Sequence, residues 1–242
     1  MPMNIMVRHF FLLLMISTLS FSQARGQAAI LAMIFGDKVA SENFYLSLEI
    51  GGNLADIPPF PRSKRLVAVN FGLGINIKLK DKWYIVPQFL PLQPKGYRYE
   101  GSLESGVFEL DSLYSNVDIK RTISYIDVPL YLYYRPYRRW GIGVGPKIGF
   151  MTNASDYYES ELANLEVFVK DEVNSVDFGI AIDIALELIA ARKGKGLYLH
   201  FNYYQGFTQV QKFLPGQNSV IGISASFPFI TDELAEDRLR NR

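Results

Sequence analysis

The sequence contains no cysteine and only two histidines among its 242 residues. Without cysteine, the chain has no disulfide, no thiolate nucleophile and no zinc–thiolate site. With so little histidine, neither a histidine-built metal centre nor a Ser–His–Asp triad is expected. The 25 basic and 24 acidic residues nearly cancel, so no basic field marks a nucleic-acid-binding protein. We therefore expect no cofactor, no nucleic-acid partner and no small-molecule substrate.

Long apolar runs are also lacking. The most apolar stretch, Phe10–Leu19, follows Arg8 and His9 and is shorter than the roughly 20 residues that a membrane helix needs. Small residues after this stretch fit a signal-peptidase site, with cleavage near residue 24 or 28. We therefore predict that residues 1–28 are a secretory signal peptide and that no later segment is a membrane-spanning helix.

The rest of the chain alternates strictly between apolar residues and small or polar ones. In 69–79 the odd positions are apolar, and the even positions are Asn, Gly or Lys. In 176–188 the even positions are apolar, whereas the odd positions include Asp177, Asp183 and Glu187. A period of two places the two sets on opposite faces of a strand, whereas a helix would spread these acids around its circumference. The alternation therefore predicts β-strands.

This pattern predicts eight strands, near 44–51, 67–79, 83–92, 121–135, 140–152, 174–190, 196–205 and 218–229. Short links follow the second, fourth and sixth strands, and the other connections are the long segments 52–66, 93–120, 153–173 and 206–217. Short periplasmic turns that alternate with long outer loops are typical of outer-membrane barrels, whose termini both lie in the periplasm. We predict an all-β fold, an eight-stranded antiparallel up-and-down transmembrane β-barrel over residues 44–229. An amphipathic, short helical segment (29–43) precedes it, and a polar periplasmic tail (230–242) follows.

The composition of the two strand faces indicates which one meets lipid. One face is almost wholly Val, Ile, Leu and Phe, while the other is Gly, Ala, Ser and Asn with a few charges. A soluble lipocalin-like barrel, the alternative, would need a well-charged outer face. We therefore expect the apolar face to contact lipid and the small, polar face to fill a narrow lumen. Prolines 87, 91, 129 and 146 fall within predicted strands, so each must lie at a bulge, at a strand end or beyond the hydrogen-bonded region.

Charged residues at inward positions form the candidate site. They are Glu49, Lys78, Asp127, Arg135, Lys147, Asp177, Asp183 and Glu187. We interpret them as an ion-pair network, because unpaired charges in a filled lumen are costly. Lys147 is the expected partner of the carboxylates on the next strand. The alternative is an acid–base site around His200, but an eight-stranded lumen has no room for a substrate.

Two neighbouring segments resemble a known family. They are Tyr125-Ile126-Asp127-Val128-Pro129-Leu130 and, after a short turn, the glycine-rich run Gly141–Gly149. In this order they resemble the PorT-like outer-membrane β-barrel family, and the resemblance spans roughly 44–229. It implies an eight-stranded barrel in the outer membrane of a Bacteroidetes-type bacterium. The member that gives the family its name is linked to protein secretion and gliding, but no motif ties this chain to that member.

These observations predict a non-enzymatic integral outer-membrane β-barrel that is structural or binds partners through long extracellular loops. Outer-membrane lipid is the expected surrounding, and other envelope proteins are candidate partners. Two alternatives stay open: an accessory component of a protein-secretion or gliding apparatus, and a small outer-membrane enzyme.

Overall fold

A computed structural model describes the central part of the chain. The described residues are 40–41, 43–58, 63–137, 139–160, 163–192 and 195–229. The predicted signal peptide, the predicted tail and residues 29–39 of the predicted N-terminal segment lie outside the described residues.

The described chain is almost entirely β-structure. The strands are β1 (Ala40–Ser41), β2 (Phe44–Asp56), β3 (Lys64–Lys80), β4 (Trp83–Gly101), β5 (Val117–Tyr137), β6 (Trp140–Glu159), β7 (Asn164–Phe168), β8 (Val176–Arg192), β9 (Lys195–Gln209) and β10 (Gln217–Phe229). A six-residue helix α1 (Phe108–Leu113) and a 3₁₀ turn (Lys170–Glu172) complete the described elements. Among them, no helix is both long and apolar enough to cross a bilayer.

The eight long strands form a closed antiparallel ring. Their order is β2-β10-β9-β8-β6-β5-β4-β3, and β3 pairs again with β2. The short strands lie outside the ring, with β1 on β2 and β7 on β6. The predicted eight-stranded barrel is therefore confirmed. At one end the links are the residue pairs 81–82, 138–139 and 193–194, whereas the connections at the other end are longer.

The strand faces are oriented as the alternation predicts. In β8, Ala181 and Asp183 point inward and are 1% and 3% exposed. The neighbours Ile180, Ile182 and Ile184 point outward and are 40–44% exposed. A soluble barrel would bury such isoleucines, because burial of apolar surface is its main stabilising term. The ring therefore has an apolar outer surface and a polar interior.

Strands β4, β5 and β6 extend well beyond their predicted ends, into segments that the sequence assigned to long loops. β4 continues to Gly101, β5 begins at Val117 and β6 continues to Glu159. The outward residues in these extensions include Arg98, Lys120 and Glu159, which are polar. The apolar–polar contrast therefore ends where the apolar belt ends, although strand pairing continues. This is why the sequence pattern placed loops at 93–120 and 153–173.

The strand prolines lie at interruptions of the ladder. The pairing between β4 and β5 shifts between Leu90 and Gln93, and this bulge contains Pro91. Among the described residues, each of the other three prolines pairs with only one of its two neighbouring strands. Their partners are Leu130 for Pro87, Lys147 for Pro129 and Ile180 for Pro146. Proline has no N–H to donate, so one flank of its strand can remain paired while the other is interrupted.

The end of the predicted N-terminal helical segment is a strand instead. Ala40 and Ser41 pair with Tyr45 and Phe44 of β2. The last contact of β10 with β2 is at Leu46, so the backbone of β2 before that residue offers a free edge to β1.

Candidate functional site

Arg135 on β5 organises the lumen at the end of the ring that has two-residue links. Its guanidinium donates to the Tyr45 hydroxyl at 2.6 Å and to Asn76 Oδ1 at 3.0 Å. It also lies 4.2 Å from the centre of the Tyr84 ring, a cation–π distance. Lys78 and Glu187 line a cavity of about 310 Å³ at this mouth, together with Arg135. This end of the lumen is therefore polar, aromatic and open.

Glu49 and Asp183 occupy the next layers of the lumen, and both carboxylates accept two hydrogen bonds. Glu49 on β2 accepts from Gln88 at 2.9 Å and from the Ser224 hydroxyl at 2.5 Å. Asp183 on β8 accepts from the Tyr133 hydroxyl and lies 2.8 Å from His200 Nδ1. These contacts join side chains from adjacent strands and from strands that are separated by one other strand, so they fill the bore along its wall.

The acid–base alternative depended on His200 and the carboxylates near it. Ser224 is the register partner of His200 on β10, but its hydroxyl donates to Glu49. The cavity beside His200 measures about 10 Å³, which corresponds to about one water molecule. The histidine therefore belongs to a packed polar layer, and the space beside it does not fit an organic substrate.

Four buried charges form a compact cluster higher in the lumen. Lys95 Nζ lies 3.0 Å from the Asp127 carboxylate and 2.9 Å from that of Asp177. Lys147 Nζ lies 2.9 Å from Asp127 Oδ2, so two cations face two anions. Lys147 is also 3.9 Å from the centre of the Tyr204 ring. Such a balanced cluster offsets the high cost of taking isolated charges out of water.

The expected direct pairing of Lys147 with acids on β8 is not formed, although one of them, Asp177, belongs to the same cluster through Lys95 and Asp127. Asp183 pairs in register with Gly143, whereas Lys147 pairs with Gly179, so the two side chains are four positions apart along the strands. On the other side, Asp127 is diagonal to Lys147, because Asp127 pairs with Gly149. Diagonal neighbours on one face of a sheet are within reach of long side chains. Asp177 on β8 is also diagonal to Lys147, but its carboxylate is bound by Lys95, and Lys147 contacts the carboxylate on β5.

Lys95 was missed by the sequence reasoning, although it joins both acids of the cluster. The reason is its position at the start of the segment predicted as a loop. Its alternation with Gln93 and Tyr97, which are buried on the same face, was the available signal. The Pro91 bulge hid that signal, because it shifts the inward parity of β4 from even to odd positions.

Above the lumen, the extended strands close the end of the barrel that has longer connections. Arg121 Nε donates to Asp156 Oδ1 at 2.7 Å, and its Nη2 lies 3.0 Å from Glu172 Oε2. Gln211 donates to the Tyr97 hydroxyl at 2.6 Å. The buried residues Ile57, Ile123, Val173 and Val210 pack in the same region. The lumen is therefore covered at this end by a second, small core.

The longest hairpin, β4–β5, ends in an ordered tip at 102–116. Tyr114 packs with Ile119 and Tyr158 in a buried cluster below the tip. The Asp111 carboxylate accepts from the backbone N–H and the hydroxyl of Ser105, both at 2.7 Å, and from the Gly106 N–H at 3.1 Å. The hydrogen bonds from Ser105 hold the pKa of Asp111 below its usual range. The tip is thus fixed by its own contacts.

No group of three or more His, Asp or Glu side chains placed to bind a metal occurs within the described part of the chain.

Residues 37–212 match a family model described as the outer membrane protein beta-barrel domain. Several solved structures are similar in fold. The attachment invasion locus protein Ail of Yersinia pestis is 10% identical, with a TM-score of 0.40 over 77% of this chain and 97% of that one. Neisserial surface protein A is 6% identical, with a TM-score of 0.41 over 78% and 98% of the two chains. OprG from Pseudomonas aeruginosa is 11% identical, with a TM-score of 0.34 over 79% and 99%. No curated protein sequence matches the chain.

Proposed function

Since the chain belongs to the family of outer membrane protein β-barrel domains, we propose that it is a non-enzymatic integral barrel whose outer hairpins bind partners. The observation that carries this proposal is the contrast between a filled lumen and ordered, exposed hairpins.

The outer surface of the ring supports integration in the membrane. A tilted strand crosses a bilayer in about 9–11 residues, and the ring strands have 13–21 residues. Trp83, Tyr134, Tyr137 and Trp140 form ring pairs near the end with two-residue links. Aromatic side chains at this height are typical of a membrane interface. We place this end, and with it both termini, in the periplasm.

The interior supports a non-enzymatic role. Arg135, Glu49, Asp183 and Asp127 are each joined by hydrogen bonds or ion pairs to side chains of other strands inside the bore. A transport channel or an enzyme needs free space beside its polar groups. The polar groups around Glu49, Asp183 and Asp127 contact one another instead, and the cavity of about 310 Å³ lies at the mouth, beside Arg135. The lumen charges are therefore assigned to the stability of the barrel.

Because the lumen is filled, the outer hairpins are the elements of the barrel that can bind partners. The β4–β5 and β6–β7 hairpins rise above the apolar belt, carry polar outward residues and pack on each other through Tyr114 and Tyr158. Rigid, exposed segments on a fixed scaffold are favourable places for recognition. Within the wider family, the Tyr125–Leu130 and Gly141–Gly149 segments support a place close to its PorT-like members.

Labelling of single cysteines on intact cells tests the proposal, since the chain has no native cysteine. We expect a membrane-impermeant maleimide to label Glu109→Cys on the hairpin tip. The matched variant is Lys82→Cys in the β3–β4 turn, which is also exposed and should react only after the outer membrane is permeabilised. Labelling of position 82 but not position 109 on intact cells would contradict the proposed orientation.

A further inference from the structure

The tip of the β4–β5 hairpin exposes large apolar side chains far from the membrane belt. Val107, Phe108 and Leu110 are 47%, 83% and 41% exposed. They lie beyond Gly101, and the last apolar outward residue of β4 is Leu92, nine positions earlier. At roughly 3.3 Å per residue, a tilted strand of that length rises more than 20 Å. Apolar groups held in water at this height indicate an interaction surface.

The surface is held in place by contacts below it. Leu113 and Tyr114 turn back into the cluster with Ile119 and Tyr158. Asp111 fixes the backbone of Ser105 and Gly106, directly before Val107. Because this order exists before any contact is made, little conformational entropy is lost when a partner docks.

The charge of the tip has one sign. Residues 102–116 contain Glu104, Glu109 and Asp111 and no Lys or Arg. The Asp111 carboxylate is used inside the tip, whereas Glu104 and Glu109 are exposed beside the apolar residues. The result is a small apolar patch with an anionic rim.

We propose that this apical patch, formed by Val107, Phe108 and Leu110 with Glu104 and Glu109, docks a cationic amphipathic segment of another polypeptide. Phe108 is the anchor that enters the partner's apolar face, and Lys or Arg side chains on the partner's polar face meet the two glutamates. The inference rests on the proposed function and deepens it, because it names the class of partner that the hairpins bind.

Charge distinguishes this occupant from the two obvious others. An anionic lipid surface would repel Glu104 and Glu109, and its headgroups would have to be crossed before Phe108 reached hydrocarbon. A second copy of the chain would bring two anionic rims together, which is also unfavourable. A cationic polypeptide alone satisfies both parts of the surface.

The test uses the full barrel in nanodiscs of phosphatidylcholine and two fluorescent helical peptides, a Leu–Lys repeat and a Leu–Glu repeat of equal length. Anisotropy is measured against empty nanodiscs, so that binding of the peptide to lipid is subtracted. We expect saturable binding of the Leu–Lys peptide above that background. Phe108→Ser and Glu109→Lys should each weaken it about tenfold, the loss typical of a central anchor.

Phe213→Ser is the matched control. Phe213 is 84% exposed on the β9–β10 connection, next to Lys212, so it has the same side chain and a similar exposure outside the apical patch. This variant should bind the Leu–Lys peptide as the unmodified barrel does. Heat-dependent migration on gels shows that each variant retains the folded barrel.

Several results would overturn the inference. These are equal effects of Phe108→Ser and Phe213→Ser, equal binding of both peptides, Phe108-dependent binding to vesicles of phosphatidylglycerol, or Phe108-dependent self-association. If any of them occurs while position 109 is labelled on intact cells, the partner class is wrong and the proposed function stands. If Glu109→Cys is not labelled on intact cells, the partner class and the proposed function are both wrong.

Discussion

Lys147 on β6 and Asp127 on β5 form a buried ion pair, with Nζ 2.9 Å from Oδ2 and side-chain exposures of 6% and 0%. Lys95 contacts the same carboxylate from β4, so a single aspartate joins three strands of the ring. This relationship fixes the stagger of β4, β5 and β6, because a shift of one residue would turn these side chains toward the apolar belt.

Removal of Lys147 should therefore destabilise the barrel. Lys147→Met leaves two buried carboxylates with one cation, and breaking a buried pair costs about 3–5 kcal/mol. Adding Asp127→Asn should recover part of that loss, since it removes the uncompensated charge. The measurement is reversible urea unfolding in detergent micelles as a double-mutant cycle. The control adds Asp183→Asn instead, which lies four register positions away and should show little coupling. Coupling of Lys147 to Asp183 and not to Asp127 would reject the pairing.

The cost in unfolding free energy of an arginine on the outer surface should depend on how far its position lies from the bilayer midplane. Ile182→Arg places a guanidinium in lipid and should cost about 2–4 kcal/mol if the residue lies near the bilayer midplane. Thr152→Arg is also exposed and outward, but it is the next outward position after Phe150, at the edge of the belt, and should cost about 0–1 kcal/mol. Unfolding in lipid bilayers measures both. Equal costs for the two variants would contradict the assigned belt.

The β5–β6 contact should not accept a side chain at Gly145. A methyl group there would overlap the carbonyl oxygen of Leu130, which is backbone and cannot move aside easily. Gly145→Ala should therefore destabilise by about 1–3 kcal/mol, the usual range for overpacking. Gly52→Ala is the control, because its methyl group would come no closer than 3.7 Å to the Ala68 carbonyl oxygen. Similar thermal stability of the two variants would argue against the close approach of the Leu130 carbonyl oxygen to Gly145.

The tip of the β4–β5 hairpin should loosen in acid. The Ser105 hydrogen bonds lower the pKa of Asp111 in the folded state, so this contribution is present above the ordinary carboxylate pKa and is lost as pH falls through the lowered one. Carboxyl carbon shifts in an NMR titration give the midpoint of Asp111. Ser105→Ala removes the hydroxyl donor and should move that midpoint back toward the ordinary range. An ordinary midpoint for Asp111 in the unmodified protein, or an unchanged midpoint in Ser105→Ala, would show that the hydrogen bonds from Ser105 to Asp111 do not form.

The sequence alone was enough to predict the ring of strands and which strand face points outward, but not the contacts between side chains inside the ring. Alternation in 69–79 and 176–188 predicts the inward and outward sets correctly, because lipid requires one strand face to be apolar. Above the belt both faces are polar or mixed, so the extensions of β4, β5 and β6 gave no such contrast. The pairing of Lys147 depends on the register of β5 and β6, which is set by contacts between distant segments, and the Pro91 bulge in β4 hid the third partner, Lys95. For the same reason the joint contact of Asp183 with Tyr133 and His200 could not be read from the chain.

The outward face of β8 offers the most direct test of the central claim, that the apolar surface of the ring lies in lipid. Nitroxide labels at Ile182→Cys and at Glu100→Cys, on the exposed end of β4, can be compared by electron paramagnetic resonance in bilayers. Power saturation reports collisions with oxygen, which concentrates in lipid, and with a water-soluble nickel complex. We expect the label at 182 to be relaxed mainly by oxygen and the label at 100 mainly by nickel. A label at 182 that nickel relaxes as strongly as the label at 100 would mean that this face is in water, and the membrane barrel would be rejected.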